Sequence, residues 1–270
     1  MFKNKTYIIT GASRGIGAAI AKKLASEGAN VTLIAKTAEP HPTLPGTIHT
    51  VAQEIEALGA QALPIQLDVR DIDGVHAAIK KTVETFGGVD GLINNASALN
   101  VTNTMQTPMK RFDLMIGVNV RATFAFCQAC QPLLQKAENP HILILSPPIN
   151  LNPKWFKDHL AYTLSKYGMS MCTLGLAEEF KSEKIAVNSL WPKTLIATAA
   201  VKNNFPAEVY KATRKPEIVA NAAAYILSQP STKFTGQFCL DEDILKTSGE
   251  KNFEQYATHP GIAAMADIYV

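Results

Sequence analysis

Several absences narrow the field before any motif is considered. No apolar run in the 270 residues approaches the ~20 needed to cross a bilayer, so no membrane span is expected. Met1 to Thr6 lead straight into an apolar stretch with no signal-peptide pattern, which predicts a soluble, cytoplasmic chain. Cysteine is scarce. Cys127, Cys130, Cys172 and Cys239 are too few to staple a chain of this length. Cys127 and Cys130 form a C-x-x-C inside an apolar helical pattern, with no second such pair, so they read as packed thiols and no metal is expected. Charge of one sign is scarce too. A net charge of +3, spread along the chain, leaves no basic stripe for nucleic acid. Repeats, low-complexity tracts and linkers are missing, so residues 1–270 read as a single domain.

What is present is an alternation of strand and helix. Strands are predicted at Thr6–Thr10, Val31–Ala35, Leu63–Leu67, Gly91–Asn94, Ile142–Leu145, Ala186–Leu190 and Gln237–Leu240. Ile16, Ile20 and Leu24 recur every four residues and predict a helix that Gly28 stops. Further helices are predicted at Thr50–Leu58, Ile72–Phe86, Lys110–Leu134, Ala161–Lys181 and Glu217–Leu227. The strands are nearly all apolar rather than alternating, the pattern of strands covered on both faces. The expected fold is therefore α/β: a doubly wound, mostly parallel, Rossmann-type sheet with helices on both sides. Thr37–Thr47, Pro147–Lys157 and Lys193–Arg214 fall outside the alternation. They are candidate site walls, and 193–214 is the candidate substrate loop.

Directly after the first strand comes Thr10-Gly11-Ala12-Ser13-Arg14-Gly15-Ile16-Gly17. Glycines let the chain turn sharply and bring its N–H groups close to a pyrophosphate, and the helix that follows points its positive end at the same charge. The strand–turn–helix context favours a dinucleotide site over a tight turn that binds nothing. An acid at the end of the second strand would select NAD, and a cation would accept the 2′-phosphate of NADP. That strand ends Ile34-Ala35-Lys36-Thr37, and Arg14 adds a second cation. NADP(H) is the expected cofactor.

Tyr162 and Lys166 are four apart and share a helix face. A free phenol, with a pKa of about 10, is a poor base at neutral pH, and a nearby ammonium lowers that value. Ser146 ends the fifth strand, where a hydroxyl can bond a substrate oxygen. Asn119 places an amide in an apolar helix, costly without partners.

The G-x-x-x-G-x-G spacing and the order Asn119, Ser146, Tyr162, Lys166 resemble the short-chain dehydrogenase/reductase family. The resemblance implies that Ser146 orients the substrate oxygen and Tyr162 exchanges its proton. It implies that Lys166 holds the nicotinamide ribose and tunes Tyr162, and that Asn119 anchors a relay water. It adds Gly11, Ser13, Arg14, Gly15, Ile16, Gly17 and Lys36 as cofactor contacts, with Asp68-Val69 at the adenine and Asn95-Ala96 after the fourth strand. Pro192, Thr194 and Thr198 follow the sixth strand as nicotinamide contacts, with Lys193 where the family commonly has glycine.

The stretch Ser146–Pro153, Trp191-Pro192-Lys193-Thr194 and the proline-rich 38–46 insertion are similar to one subgroup, the hydroxysteroid dehydrogenase-like proteins. Its larger members add a sterol-carrier domain, and the dehydrogenase part alone is expected here. Asp267-Ile268-Tyr269-Val270 does not resemble a peroxisomal address. Ser146 and Tyr162 stand 16 positions apart, about three more than the wider family implies, so the loop between them must bulge. Trp155 and Phe156 in that loop either line an apolar pocket or pack beneath it.

The expected activity is reversible hydride transfer between NADP(H) and a small, lipophilic carbonyl/alcohol substrate. The alternative is a non-catalytic NADP-binding regulator on the same fold. The family's long helices imply a homodimer or homotetramer.

Overall fold

In a computed structural model, residues 2–42 and 44–270 are described. Seven strands form one parallel sheet: β1 (Thr6–Thr10), β2 (Asn30–Ala35), β3 (Ala62–Gln66), β4 (Gly91–Asn94), β5 (His141–Ile144), β6 (Ala186–Trp191) and β7 (Phe238–Leu240). Their order is β3-β2-β1-β4-β5-β6-β7, with every pair parallel. The connections pass through α1 (Gly15–Ser26), α2 (Ile48–Ala57), α3 (Ile72–Phe86), α4 (Met109–Met115), α5 (Ala122–Leu134), α6 (Leu160–Glu179), α7 (Ala199–Asn204), α8 (Ala207–Lys211) and α9 (Glu217–Ser228). After β7 comes α10 (Asp241–Thr247).

The apolar strands are explained by two cores. Successive side chains on a strand point to opposite faces. Ile9, Leu33, Ile93 and Leu143 join Ile20 and Leu24 of α1, Ile55 of α2 and Ile226 of α9. Their neighbours Ile8, Ile34, Leu92 and Ile142 join Val75 and Ile79 of α3, Phe126 of α5 and Met169 of α6. Each such side chain contributes roughly 1.5–3 kcal/mol when fully buried. Cys127 and Cys130 are wholly buried in the second core, as packed thiols. The strand order reverses between β1 and β4, which opens a crevice at the carboxyl ends of the strands.

Boundaries shift where local chemistry overrides periodicity. Thr47 caps α2 through a reciprocal pair with Thr50, so α2 starts at Ile48 rather than Thr50. The expected helix at Lys110–Leu134 is interrupted by a π turn at Ile116–Arg121, between α4 and α5. The expected Ala161–Lys181 helix closes at Glu179 and is followed by a 3₁₀ turn at Lys181–Glu183. The 193–214 segment is not irregular, because it holds α7 and α8. Thr43, within the predicted Thr37–Thr47 loop, lies outside the described residues. Among the described residues no helix is long and apolar enough to cross a membrane.

Candidate active site

The glycine loop is a braced unit. Gly11 (φ +68°) and Gly15 (φ +57°) take left-handed conformations that favour glycine. The Asn95 side-chain amide donates to Thr10 O at 2.9 Å and Gly11 O at 3.1 Å. The backbone N–H groups of Asn95 and Ala96 both reach Thr10 Oγ1, at 3.1 and 3.0 Å. Arg14 precedes α1 without a side-chain cap, so the first-turn N–H groups of α1 remain for an incoming anion. These features fit a pyrophosphate.

Two cations stand where the second strand ends. Arg14 donates to the carbonyls of Pro45 (2.9 Å) and Gly46 (3.1 Å), which fastens the proline-rich insertion over the loop. Lys36 Nζ lies 3.2 Å from Asp68, which Arg70 also grips at 2.6 Å. The Arg70 guanidinium holds the Asp68 carboxyl well below the usual carboxylate range. Asp68 therefore stays a carboxylate that orients Lys36 and Arg70 beyond the end of β2.

A chamber of about 950 Å³ runs from this end to Tyr162 and Lys166. Gly11, Ser13, Arg14, Gly15, Ile16, Lys36, Asp68, Val69, Asn95, Ala96, Tyr162, Lys166, Pro192 and Thr198 all reach its wall. Gly17, Asn119, Ser146 and Thr194, equally anticipated as site residues, do not line it. Gly17 acts through packing, since a Cβ there would meet Asn95 Nδ2 and Gly11 O, each at 2.5 Å. Thr194 is buried, its hydroxyl unpartnered.

Ser146 lies just behind the wall. Its hydroxyl is 3.1 Å from Ser189 Oγ, and Ser189 Oγ donates to Ser146 O at 2.6 Å. Asn119 sits in the π turn, fully buried, with every side-chain atom used. It accepts from Ala98 N (2.7 Å) and donates to Ala98 O (3.0 Å) and Ser165 Oγ (2.9 Å). The buried amide thus ties the loop after β4 to α6, meeting its polar needs.

Tyr162 is mostly buried, and its hydroxyl has no partner among the described residues. Lys166 is buried beside it and donates to Leu145 O at 2.6 Å. The spacing led to the expectation that the ammonium would lower the pKa of the phenol. Burial dominates instead. It raises Tyr162 well above the usual phenol range, helped by Tyr269 and Asp267, and pushes Lys166 down to about 7. Burial disfavours the charged form of each group, so the phenol is pushed up and the ammonium down.

The long loop before Tyr162 does bulge, and α6 pins it. Tyr167 Oη donates to Asn150 O at 2.7 Å, Ser170 Oγ to Pro147 O at 2.7 Å and Thr163 Oγ1 to Trp155 O at 2.6 Å. Trp155 and Phe156 pack beneath this loop and do not line the chamber. Sequence reasoning missed His159, Met265, Asp267 and Ile268, all of which do.

The sequence pattern described as short chain dehydrogenase matches residues 5–209. The chain belongs to the short-chain dehydrogenase family. Hydroxysteroid dehydrogenase-like protein 2 of Danio rerio is 59% identical over 265 residues, 98% of this chain and 63% of that relative. This short-chain dehydrogenase thus spans somewhat under two thirds of the length of such relatives. A crystal structure of a short-chain dehydrogenase from Mycobacterium thermoresistibile is 50% identical, with a TM-score of 0.94, covering 100% of this chain and 96% of the other. A metagenomic short-chain oxidoreductase solved in complex with NADP is 28% identical, with a TM-score of 0.73, covering 88% of this chain and 97% of the other. The family is one of oxidoreductases, and its fold binds NAD or NADP.

Proposed function

We propose that this chain transfers a hydride between NADP(H) and a lipophilic carbonyl/alcohol substrate, with Tyr162 as general acid/base. The observation that carries the reading is the free Tyr162 hydroxyl beside the buried Lys166 ammonium, in a chamber continuous with the glycine loop. NADPH, when bound, supplies the hydride. Tyr162 keeps its proton at neutral pH because burial holds it there, which suits donation to a carbonyl oxygen as that oxygen gains charge. Lys166 would hold the nicotinamide ribose, and Ser146 would orient the substrate oxygen once its hydroxyl rotates away from Ser189. Asn119 would hold the relay path by fixing α6 against the β4 loop.

Preference for NADP is supported by Lys36 and Arg14 in place of an acid after β2. A lipophilic substrate is supported by Leu99, Val101, Leu195, Val201, Phe205 and Ile268 around the catalytic end, with 193–214 forming one wall. Assembly as a homodimer or homotetramer is supported by Phe124 of α5 and Leu164, Met171 and Leu174 of α6, which are 45–53% exposed on the outer side of the sheet.

The test is NADPH oxidation across aldehydes, ketosteroids and 3-oxoacyl thioesters. Turnover lost in Tyr162→Phe with NADPH binding retained supports the reading. The withdrawal of Ser146 behind the wall favours a second reading, a cofactor-binding regulator without catalysis, and NADPH binding with no turnover on any member of the panel would select it.

A further inference from the structure

The segment after α10 returns to the reaction centre. Ala266 pairs with Thr194, the Asp267 amide donates to Lys193 O at 3.1 Å, and the Trp191 indole N–H donates to Ile268 O at 3.0 Å. Tyr269 then inserts its ring among four others and is only 1% exposed. Its centroid lies 5.8 Å from Trp155, 6.2 Å from His159, 5.3 Å from Tyr167 and 5.8 Å from Trp191. Its hydroxyl is 3.0 Å from Thr163 Oγ1. Because Thr163 spends its one proton on Trp155 O, Tyr269 must be the donor in that pair. One side chain therefore joins this segment, the 146–162 loop and the first turn of α6, next to Tyr162.

The anchor sets Asp267 in the chamber wall that Tyr162 and Lys166 share. Lys166 forms no ion pair among the described residues. Its ammonium touches Leu145 O at 2.6 Å and Met169 Sδ at 3.3 Å, and lies 5.1 Å from the Trp191 ring centre. A buried ammonium held by a carbonyl, a thioether and a ring lacks a countercharge. Asp267 stands in the same chamber wall, next to Ile268, whose carbonyl takes the indole N–H of the Trp191 ring that Lys166 faces, and a carboxylate there favours the charged ammonium.

We propose that Asp267 is a positioning residue for Lys166, delivered to the reaction centre by the Tyr269 anchor, and that it keeps Lys166 charged for cofactor binding. The proposal rests on the assignment of Lys166 to the nicotinamide ribose. The groups facing Asp267 are Lys166 and Tyr162 on α6, Tyr269 on its own segment and Asp241 at the head of α10. Asp241 is in turn met by Arg214, by Glu242 and by the amide of Lys193. Asp267 also accepts the Ile268 amide at 2.7 Å. Burial pushes Lys166 down and Asp267 up, both to about 7, and their mutual attraction opposes each shift. The Lys166 charge is present below its pKa and lost as pH rises through it. Without Asp267, burial alone acts on Lys166, so its charge is lost at a lower pH.

The experiment is NADPH binding to the full chain, followed by nicotinamide fluorescence as pH is raised through neutrality, which reads Lys166 without turnover. Asp267→Asn should shift the midpoint of affinity loss to lower pH, leaving an extra deficit of about tenfold on the alkaline side for one unit of titration. Asp267→Glu should restore the midpoint, and Tyr269→Ala should reproduce the shift. A merely structural role would weaken binding equally at every pH. An unchanged midpoint in folded Asp267→Asn overturns the proposal. If that variant does not fold, Asp267→Ser, which also removes the carboxylate, carries the same test with the same two outcomes. If Lys166→Ala leaves the pH profile of the parent unchanged, the assignment of Lys166 fails, and the proposal fails with it. If Lys166→Ala abolishes the profile while the Asp267 variants do not move it, the assignment stands and only the proposal falls.

Discussion

The Asn95 side-chain nitrogen and the Cα hydrogens of Gly17 share one small space: a Cβ on Gly17 would lie 2.5 Å from that nitrogen. The same amide bonds the carbonyls of Thr10 and Gly11, so β4, the glycine loop and α1 are locked together at this point. Gly17→Ala must therefore shift backbone, not a flexible tip. Overpacking of this kind costs about 1–3 kcal/mol. The expected result is a lower melting temperature and a loss of NADPH affinity, read by thermal denaturation and fluorescence titration. Unchanged affinity would show that the loop does not cradle the cofactor.

Tyr162→Phe removes one oxygen from a side chain whose hydroxyl has no protein partner. The fold should be undisturbed and NADPH binding retained. Turnover should fall by roughly 10²–10⁴-fold, the usual scale of general acid/base catalysis. Steady-state kinetics beside a binding titration measures both.

Lys36→Asp reverses the charge that would meet a 2′-phosphate and places a second carboxylate beside Asp68. NADPH affinity should drop by about tenfold or more, the scale of one charge-assisted hydrogen bond. NADH affinity should hold or rise. Competitive titration of the two cofactors gives the ratio, and equal affinities in the parent protein would remove the case for NADP.

Ser189→Ala tests how Ser146 is held. The pair is 3.1 Å apart, and Ser189 also donates to the Ser146 carbonyl at 2.6 Å. Loss of the partner should cost about 1 kcal/mol of stability. It should change kcat more than KM, because Ser146 rather than the pocket wall is disturbed.

Phe124→Asp combined with Leu174→Asp places charge on the exposed apolar face of α5 and α6. If that face buries against a second copy, the pair of substitutions should yield a monomer by sedimentation, with NADPH binding preserved. An unchanged mass would move the interface elsewhere.

The legible parts of this molecule were those in which neighbouring residues repeat the same message. Nearly all-apolar strands, Ile16, Ile20 and Leu24 on one helical face, and glycines between a strand and a helix all point to a parallel sheet with an anion site at its switch point. Spacing also placed Tyr162 and Lys166 together. It misjudged their electrostatics, because proximity is visible in a sequence and the depth of burial is not. Asn119 was noticed as an amide in apolar company, but a π turn leaves no trace in a pattern of fours and threes. Asp267 and Tyr269 gave no local signal at all. Their importance depends on a path that returns across the sheet to Trp155 and Thr163, more than a hundred positions earlier, and no window of neighbouring residues contains that information.

The pairing of Thr194 with Ala266 has a consequence for the order in which the molecule is made. Chains emerge from the ribosome amino end first, and domains generally fold as units. The glycine loop, β1 to β6 and the Tyr162 helix are all synthesised before residue 265, and the segment that completes their shared wall follows them. A nascent or clipped chain lacking residues 265–270 would carry a phosphate cradle and an exposed cluster of Trp155, Tyr167 and Trp191. Completion of the chamber wall and protection of that aromatic cluster from misassembly are thus one event.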